Sequence, residues 1–285
     1  VNKIGLHASV WVGDWSADSA RTAVESTAKA GYDLIEIPAL DPSSIDTKLT
    51  RQLLADNGLD AGFSLGLRWD ADISSTDPEV VKRGRDLLAG ALTTTVEVGA
   101  GYLGGVLFST LGKYPAPLDP RGRENVVRSL ASLAADAADA GVTIGLEVVN
   151  RYESNVLNTA EQAVALIEDI GADNVVVHLD TYHMNIEEQD FATPVERTGA
   201  KLGYVHIGES HRGYLGTGTI NFPQLFSALK RADYQGPITF ESFSSAVVNP
   251  DLSNNLAVWR NLWSDSTDLA THAHKFIVDG LAAAS

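Results

Sequence analysis

The chain contains no cysteine, which excludes disulfides, thiolate metal sites and a cysteine nucleophile together. Positive charge is scarce: 21 Lys and Arg stand against 37 Asp and Glu, giving a formal net charge of −16. That balance removes the electrostatic attraction on which phosphate-backbone binding rests, so a nucleic-acid partner is not expected. No apolar run approaches the roughly 20 residues of a membrane span. The opening VNKIGLHASVW lacks a basic start with a long apolar stretch behind it. No signal peptide or membrane association is therefore expected, and a cytoplasmic location is. The turn after the first apolar run, WVGDWS, is not the G-x-G-x-x-G of an open dinucleotide-binding sheet.

The chain does have an alternating pattern of strand and helix signals. Strands are predicted over Lys3–Val10, Asp33–Ile37, Asp60–Leu67, Tyr102–Leu107 and Val142–Leu146. Three more apolar runs end in Asp180, His206 and Glu241. Helices are predicted over Ser16–Ala30, from Asp41-Pro42 to Asn57-Gly58, from Asp77-Pro78 to Val98-Gly99 and over Asp119–Ala140. Further ones follow over Thr159–Ile170, Asp190–Gly199, Phe222–Ala232, Leu252–Trp263 and Ser266–Ala283. Asp-Pro pairs supply N-caps and first-turn residues, and Gly supplies the left-handed residue after a helix. Eight strands in strict alternation with helices, in about 250 residues, imply a closed parallel α/β barrel, the (β/α)8 or TIM fold. With no linker or composition break, residues 1–285 read as one domain with C-terminal helices.

The last four strands share an anomaly. GLEVVNRYE carries Glu147 at the tip of an apolar run, VVVHLDTYHMN carries Asp180, YVHIGES carries His206 and ITFES carries Glu241. A strand buried on both faces favours Val, Ile and Leu throughout, so a charged group at its end has a reason other than stability. In a barrel all strand C-termini meet on one face, which brings the four groups together. Three carboxylates and one imidazole form a hard, mostly oxygen donor set suited to Mn²⁺ or Mg²⁺, with Co²⁺ or Zn²⁺ as substitutes. Glu36, ending the second strand, faces the same side and is expected to lend a hydrogen bond.

GLEVVNRYE, HLDTYHMN, VHIGES, HRGYLGTGTINF and ITFES together resemble the ketose 3-epimerase family, the D-tagatose, D-psicose (D-allulose) and L-ribulose 3-epimerases, which are xylose-isomerase-like barrels. The resemblance runs from KIGLHASVW to FES. It implies one divalent metal per subunit, Mn²⁺ first with Mg²⁺ or Co²⁺ as alternatives, and epimerisation of a free ketose at C3. It assigns the metal ligands to Glu147, Asp180, His206 and Glu241, and substrate contacts at the C1–C3 end to Glu153, His183 and Arg212. Family use of aromatics at C4–C6 points to Trp15 and Phe108, with ordinary packing the competing reading of each. His7 stands where members often carry an aromatic, a departure bearing on distal-end preference. The family commonly forms dimers or tetramers, and an apolar C-terminal segment (Val258, Trp259, Leu262, Trp263, Phe276, Ile277, Val278) suits either an interface or core packing.

The chemistry can be argued from the residues as well. Inverting a carbon beside a ketone removes its proton from one face and returns one on the other, through a cis-enediolate whose charge a divalent ion stabilises. Glu147 and Glu241, on strands five and eight, are the natural base and acid. His183 and Arg212 can polarise the carbonyl. Competing readings are an aldose–ketose or hydroxypyruvate-type isomerase, which moves a proton between C1 and C2, and more remotely a metal-dependent endonuclease.

Overall fold

Eight short, mostly buried strands close on themselves. In the computed structural model, which describes residues 2–284, they are β1 (Ile4–His7), β2 (Leu34–Pro38), β3 (Asp60–Leu67), β4 (Tyr102–Thr110), β5 (Thr143–Glu147), β6 (Val175–Asp180), β7 (Leu202–Ile207) and β8 (Ile238–Phe240). Every neighbouring pair is parallel, in sequence order, and β8 returns to β1 through Ile4↔Ile238 and Leu6↔Phe240. The end positions Val1 and Ser285 of the predicted domain lie outside the described residues.

The surrounding helices are α1 (Ala17–Lys29), α2 (Thr47–Asn57), α3 (Pro78–Val98), α4 (Pro120–Asp139), α5 (Ala160–Ile170), α6 (Thr181–Glu187), α7 (Thr193–Thr198), α8 (Phe222–Arg231), α9 (Pro250–Asn255) and α10 (Ser266–Ala283). Their starts follow the capping signals. Asp77 and Asp119 each accept a backbone N–H two residues on, with Pro in the first turn. Thr159 and Gln162 form a reciprocal capping box at α5. Gly99 ends α3 at φ 87°, a backbone state that L side chains rarely adopt.

Several boundaries differ from the sequence reading. The first strand stops at His7 because Ala8–Val10 wind into a 3-10 turn, with the His7 ring accepting from the Ser9 N–H. Asp41-Pro42 starts only a 3-10 turn, and Asp46 is the cap of α2. Between β6 and β7 two short helices replace one: α6 begins directly on Asp180, whose carboxylate accepts from Tyr182 N–H. The helix expected over Leu252–Trp263 is the short α9 followed by irregular chain. Around α9 a small apolar cluster of Phe243, Val248 and Val258, joined by Leu252 and Leu256, stands apart from the main core. It overhangs the C-terminal mouth of the barrel.

Inside the barrel, below that mouth, two tyrosines fill the lumen. Tyr102 and Tyr204 stack with ring centroids 4.2 Å apart. Tyr102 Oη lies 3.0 Å from His178 Nδ1, and Tyr204 Oη lies 2.7 Å from Thr239 Oγ1. Gly104 and Gly145 make the room, since a Cβ at either would overlap the Tyr102 ring.

Candidate active site

The parallel register sets the strand-end residues side by side. Asp180 pairs with His206 across β6 and β7, and Glu147 closes β5 beside His178. Glu241 directly follows β8 and is tied back by its N–H to the Ile207 carbonyl. Glu147 Oε1, Asp180 Oδ2 and Glu241 Oε1 then lie 3.5, 3.7 and 3.6 Å from His206 Nδ1. The four ligand atoms all fall within 4.8 Å of one another. A cation with bonds of about 2.1 Å separates tetrahedral ligands by roughly 3.4 Å, so the spacing fits one ion at their centre.

The residues also fit a cation by what they leave unpaired. Asp180 Oδ2 and His206 Nδ1 are buried and have no hydrogen-bond partner. Such groups are costly unless something is to be bound there. His206 Nε2 lies 2.7 Å from Glu36 Oε2. A carboxylate only accepts, so Nε2 carries a proton, and Nδ1 is the nitrogen that faces the three carboxylates and can offer its lone pair to a cation that displaces its proton. This is the supporting bond expected of Glu36.

Electrostatics of the bare cluster follow from burial and mutual attraction. Burial would lower the His206 imidazole, but Glu36 and Glu241 outweigh it and hold its pKa well above the ordinary histidine value. Burial likewise favours protonation of Glu36, yet His206 keeps its carboxyl far below the usual range. Asp180 is also depressed, by His183 and His206 against its burial. Glu147 is the exception: burial prevails and raises it.

On one side of the cluster stand the expected substrate contacts. Arg212 is buried and donates from Nη1 to Glu241 Oε2 at 2.8 Å, with Nη2 3.7 Å from Glu153 Oε1. Its guanidinium lies 3.8 Å from the Tyr182 ring centroid and 4.9 Å from that of Phe243. The loop is held tightly enough to keep Arg212 at φ 59°: its N–H donates to Glu209 O, and its carbonyl accepts from Ser242 Oγ at 2.5 Å. His183 Nδ1 accepts the Asn150 N–H, and the Asn150 amide donates to Glu153 Oε1 at 3.0 Å. Glu147, Glu153, His183, Arg212 and Glu241 all line one cavity, and His7 lines it as well.

Trp15 and Phe108, expected near C4–C6 of the sugar, do not line the cavity itself, though Trp15 borders a hollow that shares Pro38, Leu40 and Leu252 with it. Phe108 is wholly buried in the core, where the positive-φ Gly105 and a register shift after Gly66 interrupt the side-chain alternation of β3 and β4. The Trp15 indole N–H donates to Thr50 Oγ1 at 3.0 Å and borders a neighbouring hollow. The cavity wall there is instead aliphatic: Leu40, Val106, Leu111, Leu252 and Leu256. Among residues given no role from sequence, Asn150 links His183 to Glu153. Glu209 is buried and accepts from Ser210 and Gly216 N–H, pinning the Arg212 loop. A buried acidic residue inside a Gly-rich stretch was the available signal for Glu209.

Comparison with known proteins agrees with this geometry. The xylose isomerase-like TIM barrel family matches residues 24–262. L-ribulose 3-epimerase of Methylomonas sp. (strain DH-1) is 54% identical over 273 residues, covering 96% of both chains. Ketose 3-epimerase of Arthrobacter globiformis is 50% identical, covering 99% of this chain and 97% of its own. The crystal structure of D-allulose 3-epimerase from Methylomonas sp. in complex with D-allulose superposes with a TM-score of 0.96 at 53% identity, covering 98% and 96% of the two chains. The chain belongs to the ketose 3-epimerases of the xylose isomerase-like TIM barrel family.

Proposed function

We propose that this chain interconverts free ketoses with their C3 epimers, in the class of D-fructose with D-psicose, D-tagatose with D-sorbose and L-ribulose with L-xylulose. The observation that carries the reading is the convergence of Glu147 and Glu241, from strands on different sides of the barrel, on one point beside His206. Glu147, Asp180, His206 and Glu241 would hold one divalent ion, with Mn²⁺ the first candidate and Mg²⁺ or Co²⁺ the alternatives. When bound, such an ion supplies Lewis-acid polarisation of the C2 carbonyl and offsets the enediolate charge.

The chain's own groups account for the proton movements. One glutamate takes the C3 proton, and the C–H electron pair moves into a C2–C3 double bond as the carbonyl oxygen takes up the charge. The other glutamate delivers a proton to the opposite face of C3 and the carbonyl re-forms, so the balance closes with no further reactant. We assign the pair as Glu147 and Glu241, with roles that exchange when the direction reverses. Burial raises the Glu147 pKa, which strengthens it as a proton acceptor. We assign Arg212 and His183 to donate to the O1–O2 end and Glu153 to accept from a substrate hydroxyl, a reading supported by their lining the same cavity as Glu147 and Glu241. His7, 3.4 Å from Ser64 Oγ, lines the same cavity, and we assign it a substrate contact. A homo-oligomer, dimer or tetramer, is supported by exposed Trp259 and Val278, whereas Trp263 and Ile277 pack inside the chain.

The test is hydrogen exchange in D₂O with metal-loaded enzyme and either D-fructose or L-ribulose. Deuterium at C3 with appearance of the C3 epimer is expected. Deuterium at C1 with aldose formation would replace the reading by aldose–ketose isomerisation. No exchange at either carbon would remove both.

A further inference from the structure

A second hollow adjoins the reaction cavity at its aliphatic wall. Leu40, Gly66, Leu111 and Leu252 line the reaction cavity and also border this hollow of about 420 Å³, so the two share one wall. The second hollow lies over the ends of β2, β3 and β4. Its chemistry is unlike that of the wall between. Asp41, Arg68, Asn249, Asp251 and Asn255 border it, together with Trp69.

Trp69 is a large apolar ring left 54% exposed. It leans on Tyr114, with centroids 4.9 Å apart. Tyr114 is in turn anchored: its hydroxyl donates to Asp72 at 2.5 Å and accepts the Thr110 N–H at 2.9 Å. The indole is therefore backed by a fixed group while much of its surface stays open. The polar neighbours keep atoms in reserve. Asp41 spends Oδ1 on Ser43, and Asn255 spends its amide N–H on the Leu111 carbonyl at 2.7 Å, leaving the second oxygen of the one and the amide oxygen of the other to the hollow. An aromatic face beside spaced carboxylate, amide and guanidinium groups is the combination that matches a pyranose ring, which offers an apolar C–H face and a rim of hydroxyls.

We propose that this hollow is a subsite for a second sugar unit, and that the enzyme epimerises ketoses carrying a glycosyl group on a distal hydroxyl as well as free ones. The inference rests on the C3-epimerase reading above. With O1–O3 held at the Glu147–Glu241 end, the far carbons of the ketose point past Leu40 and Leu111, and a glycosyl group attached there enters the hollow. The reaction is unchanged. The C3 proton leaves one face, a proton returns on the other, and the glycosidic bond is untouched.

The experiment gives the metal-loaded enzyme D-fructose, L-ribulose and 6-O-α-D-glucopyranosyl-D-fructose in parallel, with products identified by ¹³C NMR, for the native chain and for Trp69→Ala. The disaccharide is expected to yield its C3 epimer with the glycosidic linkage intact. Trp69→Ala should cut kcat/KM for the disaccharide about tenfold, mainly through KM, and leave the free ketoses within about twofold. A disaccharide that stays inert while a free ketose turns over would overturn the subsite and leave the epimerase reading standing. A Trp69→Ala loss equal on both kinds of substrate, or absent on both, would also overturn it. If none of the three sugars reacts, the epimerase reading falls and the subsite falls with it.

Discussion

Glu36 shows how one side chain sets the chemistry of another. It is wholly buried, and its charge is sustained by His206 across a 2.7 Å bond. The bond fixes which imidazole nitrogen is bare. Glu36→Gln keeps the size but can present its amide N–H₂ as readily as its carbonyl, and it removes the charge that raises imidazole basicity. We expect metal affinity to drop by about 10- to 100-fold, with kcat at saturating metal reduced far less. Calorimetric metal titration measures this, and an unchanged affinity would remove Glu36 from the orienting role. The residues at the strand tips were legible because a charge ending an apolar run is conspicuous. Glu36 was legible as a supporting residue, but that it bonds His206 was not, because the two are 170 positions apart and only the fold joins them. The directions of Trp15 and Phe108 were not legible for a related reason. An aromatic near a strand end is visible in sequence, but its direction depends on 3-10 turns and register shifts that apolar patterning does not encode.

At the scale of elements, the barrel depends on glycines in strands where β-branched residues would otherwise be favoured. Gly145, in the middle of β5, faces the Tyr102 hydroxyl so closely that a methyl group there would overlap it. Tyr102 cannot retreat, because it stacks on Tyr204 and its hydroxyl meets His178. Gly145→Ala should therefore destabilise by about 1–3 kcal/mol through overpacking, read as a lower denaturant midpoint at unchanged m-value. Combined with Tyr102→Phe, the loss should be less than the sum of the two, and strict additivity would mean that the ring does not confine Gly145. Strand order and the long helices α3, α4 and α10 were legible because caps and periodicity agree. The chain after β8 was not. Its apolar residues suggested one helix over Leu252–Trp263, but they build a small separate cluster around the short α9, and Trp263 turns inward to donate to Ser242 Oγ. α6 was hidden because its cap is Asp180, which already read as a strand-end ligand.

The whole molecule carries a large excess of negative charge, −16 overall, part of it concentrated where Glu147, Asp180 and Glu241 converge. Without a cation this convergence is eased by the proton on His206, whose pKa is raised well above its ordinary value by Glu36 and Glu241 despite burial. A raised folded-state pKa contributes stability that is complete below the ordinary histidine value of about 6.5 and is lost as pH climbs through the folded value. The metal-free protein should thus weaken toward alkaline pH at this site. A divalent ion must displace that proton to reach Nδ1, so binding releases a proton and tightens as pH rises toward the folded value. Chelation should lower the melting temperature, and restoring Mn²⁺ at about a thousand times its dissociation constant should return roughly 4 kcal/mol. Melting curves with and without metal, and titrations in buffers of different ionisation enthalpy, test both parts. A gap between the two melting temperatures that stays constant with pH, with no proton release, would mean that His206 is already bare in the metal-free protein and that the carboxylates repel one another without relief.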